Sequence, residues 1–233
     1  MQEIDLRESF PEVGDQGQRL TCVAFAASAG HSFSRSQDRS YERLSEEMLY
    51  WGACDKGGHT EGISFESASK TLESDGQCLN DLWPYAPPGS EPVRVADEAA
   101  KKDASYRLAS LDFKPKGARA VETSLFEGNP VVLLTYICGS FFNPQSGFVA
   151  TPPRSNAIPN YHAVLCVGLV EHKDHGRVFV FRNSWGVKWG DHGYGYFSAE
   201  FLDTFVVRAA SVVPRSPTPD NSSDADSQPE SPK

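Results

Sequence analysis

The chain has no apolar run approaching the roughly 20 residues that a helix needs to cross a bilayer. Its start, Met1-Gln2-Glu3-Ile4-Asp5, lacks the basic and apolar regions of a signal peptide. Read with Met1 as the natural start, the protein is expected in the cytoplasm, with no membrane partner. Cysteine is scarce, with five residues at positions 22, 54, 78, 138 and 166. The odd count leaves at least one thiol without a partner in the same chain, and no dense framework of close spacings is present. Mostly reduced thiols in a reducing compartment follow, with a single Cys54–Cys78 bridge left open. There is also no Lys/Arg cluster and no RNA-binding signature. A net charge of -9, from 31 acidic and 22 basic residues, argues further against nucleic acid as a partner. No internal repeat occurs.

What is present begins with length. The 233 residues suffice for one large domain or two lobes sharing a cleft. The stretch Asp15-Gln16-Gly17-Gln18-Arg19-Leu20-Thr21-Cys22-Val23-Ala24-Phe25-Ala26-Ala27 is a polar loop running into a helix of small apolar residues. Thr21 is a candidate N-cap, which puts Cys22 at the helix start. Backbone N–H groups there stabilise negative charge and lower a thiol pKa, giving a thiolate nucleophile. On this stretch alone, a buried structural cysteine fits equally well.

Along the chain, a first helix is expected from Thr21 to about Arg35, a second from Ser45, and a third from Ser64 to Ser74. Residues 91 to 108 are charged and weakly periodic, and read as a surface connection. The second half changes character. A short helix over about Ala118 to Phe126 is followed by buried strands over 131–137 and 162–170, a hairpin turn at Asp174-His175-Gly176 with a return over 178–182, and a last strand near 204–213. Helices first and antiparallel strands second make an α+β chain in two lobes. Residues 214–233 hold no large apolar side chain and are expected to be a disordered tail or a linker.

A cysteine nucleophile needs a base, and the base needs an orienting partner. His31 lies in the first helix. His59, His172, His175 and His192 lie in polar or glycine-bearing turns, where a solvated histidine is the ordinary expectation. His162 alone opens a long apolar strand directly after an irregular loop. Further on, Asn183-Ser184-Trp185-Gly186 and the segment to Tyr196 are rich in glycine and aromatics; tight turns with core rings account for part of this. Cys54 with His59 and Cys78 matches no common zinc spacing, and no metal or cofactor is expected.

These stretches together resemble the papain-like cysteine proteases, over roughly residues 5 to 210. Gln16-Gly17 precedes Cys22 by the family's spacing, and Cys-x-Ala-Phe-Ala follows. His162-Ala163-Val164 matches its His-Ala-Val strand opening. Asn183-Ser184-Trp185-Gly186, Trp189-Gly190 and Gly193-Tyr194 match its Asn-Ser-Trp-Gly region. Leu44-Ser45-Glu46-Glu47, Trp83-Pro84-Tyr85 and Asp5-Leu6-Arg7 match further landmarks. Each motif is weak alone; the order Gln, Cys, His, Asn in four matching contexts is strong.

The resemblance implies a two-lobe fold with a helical left lobe over about 11–108 and an antiparallel β-barrel-like right lobe over about 109–213 plus segment 1–10. The active-site cleft would lie between them, and residues 1–213 would form the peptidase domain. It implies an endopeptidase acting through a Cys22–His162 thiolate–imidazolium pair and a thioester acyl-enzyme. Asn183 would orient His162, and Gln16 with the Cys22 N–H would form the oxyanion hole. Gly62 would pair with the substrate backbone, Ile63 and Leu134 would line the main side-chain pocket, and Tyr161 and Trp185 would border the substrate. The partner implied is a protein or peptide substrate. The chain departs from the family at Arg19, where a structural cysteine is usual, at Val23, where tryptophan is usual, and at Tyr161, where Asp or Asn is common. No inhibitory pro-region precedes Asp5, which resembles bacterial intracellular members and points to restraint by a regulatory protein or a missing neighbouring domain. Two other readings stand beside hydrolysis: a gated or silent papain-like domain that binds a protein, and an acyl transferase or ligase using the same site.

Overall fold

The structure is a computed structural model that describes residues 2–36, 40–57, 62–86, 89, 90, 92 and 94–216. His59, Glu61 and residues 217–233 of the expected tail lie outside the described residues. A short strand β1 (Ile4–Asp5) leads into a loop and then helix α1 (Cys22–Arg35). Its small residues let it lie directly on the sheet: a Cβ added at Gly30 would stand 3.1 Å from Val212 Cγ2 and 3.4 Å from Leu165 Cδ1. Thr21 occupies the N-cap position, but its side chain does not cap the helix. Its hydroxyl is bonded instead to the Tyr85 hydroxyl at 2.8 Å. Cys22 is therefore the first residue of the helix, at the positive end of its dipole.

Helix α2 (Glu46–Gly57) is capped by Ser45, whose Oγ accepts the Met48 N–H at 3.1 Å. Helix α3 (Phe65–Ser74) opens with a capping box between Ser64 and Ser67. The connection at 91–108 holds a helix that periodicity did not reveal, α4 (Glu98–Ala104), capped by Asp97. Only two alanines, Ala100 and Ala104, carry its buried face.

The sheet follows as β2 (Leu108–Phe113), helix α5 (Ala118–Phe126), β3 (Val131–Ile137), helix α6 (Gly139–Phe142), β4 (Ile158–His172), β5 (Gly176–Arg182), β6 (Tyr194–Phe197), helix α7 (Ala199–Phe205) and β7 (Val206–Arg215). The strand order is β2-β7-β3-β4-β5-β6, with β1 added alongside β4, and every pairing of these strands is antiparallel. The α+β two-lobe expectation holds, but the barrel-like closure does not. The sheet is an open path ending at β2 and β6, which do not pair among the described residues.

The reason lies in the two faces. Along β4, Ala163, Leu165 and Val167 point into the core shared with the helical lobe, whereas Val164, Cys166 and Leu169 point into a second core. That second core is filled by rings in sequence: Phe181 on Phe197 at 3.9 Å, Phe197 on Phe201 at 4.1 Å, and Phe201 on Phe205 at 5.0 Å. Burying each such ring is worth roughly 1.5–3 kcal/mol. With both faces covered, no apolar surface remains to draw the edges of the sheet together.

The ring stack leaves no room at Gly195. A Cβ there would stand 2.3 Å from Phe181 Cζ and 2.9 Å from Trp189 Cη2. Gly195→Ala is expected to cost about 1–3 kcal/mol through overpacking. Thermal denaturation reads this as a fall of roughly 2–4 °C per kcal/mol; an unchanged melting temperature would show that the Phe181 ring can move aside. All five cysteines are free thiols, so Cys54 and Cys78 are not bridged. No helix among the described residues is long and apolar enough to cross a membrane.

Candidate active site

Three segments from distant parts of the chain meet where α1 starts. Packing of α1 against β4 brings Cys22 to the end of the strand that carries His162. The backbone N–H of Ala163, next to His162, acts on the Cys22 sulfur, as do the N–H groups of Val23 and of Cys22 itself. Burial pushes the thiol pKa up, and these N–H groups oppose that rise. His162 is only 3% exposed, and burial pulls its pKa down to about 4, with the Asn183 bond acting in the other direction.

Asn183 follows β5 and is fixed by its own N–H, which donates to the Gly193 carbonyl at 3.0 Å. Its Oδ1 lies 2.7 Å from His162 Nε2. An amide oxygen only accepts, so Nε2 carries the proton and Nδ1 keeps its lone pair. Trp185 covers the contact, with its ring 4.7 Å from the imidazole. Excluding water strengthens the bond it covers.

Gln16 is buried and held on three sides. Its N–H donates to the Ser184 carbonyl at 2.8 Å, and its Oε1 accepts from Ser184 Oγ at 2.6 Å. One hydrogen of its Nε2 goes to the Arg19 carbonyl at 2.7 Å. A bridge between Asp15 and Trp185 ties the same loop to the Asn183 segment. The positive φ of 61° at Gly17 lets the loop turn back toward Cys22.

The residues expected to meet substrate are less uniform. Gly62 has a φ of 80° and lies against Leu20, which is exposed. Ile63 is buried in the core of the helical lobe, and half-buried Leu134 packs on the same cluster. Leu134 faces Ala163 across the β3–β4 ladder. Two positions further out, exposed Tyr161 pairs with Tyr136, and their hydroxyls are 3.1 Å apart. A pocket of about 390 Å³ lies behind the site, lined by Ser28, Tyr41, Glu46, Ala163, Arg182 and Asn183 among others. Asn183 Nδ2 and Glu46 Oε2 are buried in this region without a hydrogen-bond partner among the described residues, and the space is large and polar enough for water.

Sequence reasoning missed Phe141. It lies 5.4 Å from both His162 and Trp185, on a helix of four residues that reads as loop. It also missed Ser184 as the partner of Gln16, although Ser184 stands inside a quoted motif. A third residue missed was Tyr85, whose hydroxyl donates to the Gln16 carbonyl at 2.9 Å.

A family model described as papain family cysteine protease matches residues 1–212. Xylellain, a cysteine protease from Xylella fastidiosa, superimposes with a TM-score of 0.75 at 25% identity, covering 92% of this chain and 85% of that one. An uncharacterised peptidase C1-like protein of Acanthamoeba polyphaga mimivirus is 26% identical over 206 residues, covering 82% of this chain and 65% of its own length. Peptidase 1 of Euroglyphus maynei is 51% identical over 210 residues, covering 84% of this chain and 60% of its own length. The chain thus spans less than two thirds of either of these two curated relatives.

Proposed function

The chain belongs to the papain family of cysteine proteases, and from that membership we propose that it hydrolyses peptide bonds in protein or peptide substrates with Cys22 as the nucleophile. The observation that carries the proposal is the 2.7 Å bond from His162 to Asn183, with the backbone N–H of neighbouring Ala163 on the Cys22 sulfur. His162 takes the thiol proton. The sulfur attacks the peptide carbonyl carbon, a C–S bond forms, and the carbonyl π electrons move onto oxygen. The Cys22 N–H and the second Gln16 Nε2 hydrogen stabilise that oxyanion. The electrons return, the C–N bond breaks, and His162 protonates the leaving amine. Water then attacks the thioester with His162 as its base. The C–S bond breaks, the acid leaves, and the thiol regains its proton.

Residues 1–213 are the peptidase unit in this proposal. Leu134, Gly62, Tyr161 and Trp185 border the substrate, and Ile63 contributes from behind, as a buried support. Five free thiols suit a reducing compartment, and a cytoplasmic site of action is part of the proposal.

The test is cleavage of a mixed peptide library by wild type and by Cys22→Ala, with products identified by mass spectrometry, with and without an added amine. Free carboxyl products from wild type, reduced at least about 10⁴-fold in the variant, are expected for a lost nucleophile. Amine adducts in preference to free acids would replace hydrolysis with acyl transfer. No cleavage, with Cys22 alkylated no faster than Cys54 or Cys78, would replace it with a gated binding domain.

A further inference from the structure

The loop that carries Gln16 is anchored by a charge pair that no motif announces. Arg19 Nη2 donates to Glu47 Oε2 at 2.8 Å, and Arg19 Nη1 donates to Glu47 Oε1. Glu47 Oε1 also accepts the Ala86 N–H at 2.9 Å. The Glu47 side chain is only 1% exposed, in the first turn of α2, where the helix dipole favours an anion. The guanidinium lies 4.6 Å from the Tyr85 ring centroid, 5.3 Å from Tyr50 and 5.8 Å from Trp51. The Arg19 side chain is therefore fixed by a two-point fork on one side and aromatic faces on the other.

The same residue's backbone carbonyl receives the Gln16 Nε2 hydrogen at 2.7 Å. Tyr85, which the guanidinium packs on, holds the Gln16 carbonyl at 2.9 Å and the Thr21 hydroxyl at 2.8 Å. Among the described residues, the hydrogen bonds that hold Gln16 from the helical lobe's side go to Arg19 and to Tyr85, whose ring lies against the guanidinium. The other side is held by Ser184.

We propose that Arg19 and Glu47 are a positioning pair: their fork fixes the loop carbonyl that aims Gln16 Nε2 at the oxyanion, in place of the structural cysteine usual at that position. This rests on the reading of Gln16 as an oxyanion donor. An ion pair at this place keeps the loop fixed whether or not thiols are reduced. Lysine cannot reproduce it, because a point charge lacks the planar fork.

The test separates aim from mere stability. Arg19→Met/Glu47→Gln removes both charges together, so no buried charge is left unpaired, and the glutamine oxygen still accepts the Ala86 N–H. Arg19→Lys keeps the charge and loses the fork. The readouts are kcat and KM on a peptide amide, the melting temperature, and alkylation of Cys22 by iodoacetamide, which needs no oxyanion hole. The double variant is expected to lose about tenfold or more in kcat, a partial loss of the ~10²–10³ that a whole oxyanion donor carries. KM stays within about twofold, alkylation is unchanged, and Arg19→Lys is intermediate. Unchanged kcat with a lowered melting temperature would reduce the pair to a structural brace and overturn the proposal, as would alkylation falling in step with kcat. If Gln16→Ala itself leaves kcat intact, the oxyanion reading fails instead; if Gln16→Ala loses kcat and the double variant does not, only the positioning pair fails. Should the double variant not fold, Arg19→Lys alone decides, with wild-type kcat as the overturning result.

Discussion

Alkylation of Cys22 by iodoacetamide is expected to be nearly flat with pH between about 5 and 7 in the wild type, and to climb about tenfold per pH unit in His162→Ala. At pH 6 the variant should be about tenfold slower, and at pH 5 about a hundredfold. The argument starts from burial. The Cys22 thiol is pushed above its ordinary value of 9.0, and His162 is pulled down to about 4. Each charge alone is disfavoured, and the gap between them is at least about five pKa units, or ~7 kcal/mol. Moving the proton from sulfur to ring creates both charges together. Opposite unit charges about 4 Å apart attract by ~4 kcal/mol at an effective dielectric of about 20. The remainder, at least about two units, leaves no more than roughly one site in a hundred ionised.

That population exchanges a proton inside the pair and gains or loses none from solvent. It is independent of pH between the low His162 value, where the pair takes up a further proton, and about pH 7, above which the pair loses its proton to solvent. Without His162, the thiolate must release its proton to solvent. A thiol at or above 9.0 then holds no more than about one thiolate in a thousand at pH 6, falling tenfold with each unit. Site-resolved mass spectrometry of alkylated peptides measures both slopes, with buried Cys166 as the internal control. A wild-type rate that climbs tenfold per unit across the same range would mean that Cys22 and His162 do not share a proton.

The elements that could be read in the sequence are those whose information is local. Helix α3 carries a capping box, α2 is capped by Ser45, α5 is stopped by Gly128 and Pro130, and β3 is a nearly continuous apolar run. Helix α4 escaped because alanine marks its buried face, and α6 and α7 because aromatic residues there serve the ring stack instead of a helical stripe. The candidate catalytic set could be named because Gln16, Cys22, His162 and Asn183 each sit in a distinctive context and in a fixed order. Closure of the sheet was not legible, since which strands pair at the edges depends on what covers their faces. The Arg19–Glu47 fork joins residues 28 positions apart, with no periodicity to show it. The traces were a cation at Arg19, where the family resemblance expects a cysteine, and Glu47 inside a quoted landmark, with nothing to join the two.

Gln16→Ala is expected to lower kcat on a peptide amide by about 10²–10³-fold, with KM changed little. The side chain has one hydrogen on the Arg19 carbonyl and its oxygen on the Ser184 hydroxyl. These two contacts fix the amide plane, so the second Nε2 hydrogen has one direction available. A donor fixed in advance costs no reorganisation when charge appears on the carbonyl oxygen, and the buried setting, with Gln16 only 6% exposed, raises what it contributes. In the ground state the substrate carbonyl is neutral and the same donor adds little, which is why the loss falls on kcat. Gln16→Glu should be worse than alanine, because it removes both hydrogens and sets a carboxylate facing the oxyanion. Ser184→Ala should cost less than either, since it frees the amide to rotate and leaves the donor present. Alkylation of Cys22 is the control: iodoacetamide reacts through the thiolate without forming an oxyanion, so its rate should hold in Gln16→Ala and Ser184→Ala, whereas the added carboxylate of Gln16→Glu disfavours the thiolate itself. If kcat in Gln16→Ala stays within about threefold of wild type while alkylation also holds, Gln16 is a structural strut of the loop and the Cys22 N–H carries the oxyanion alone.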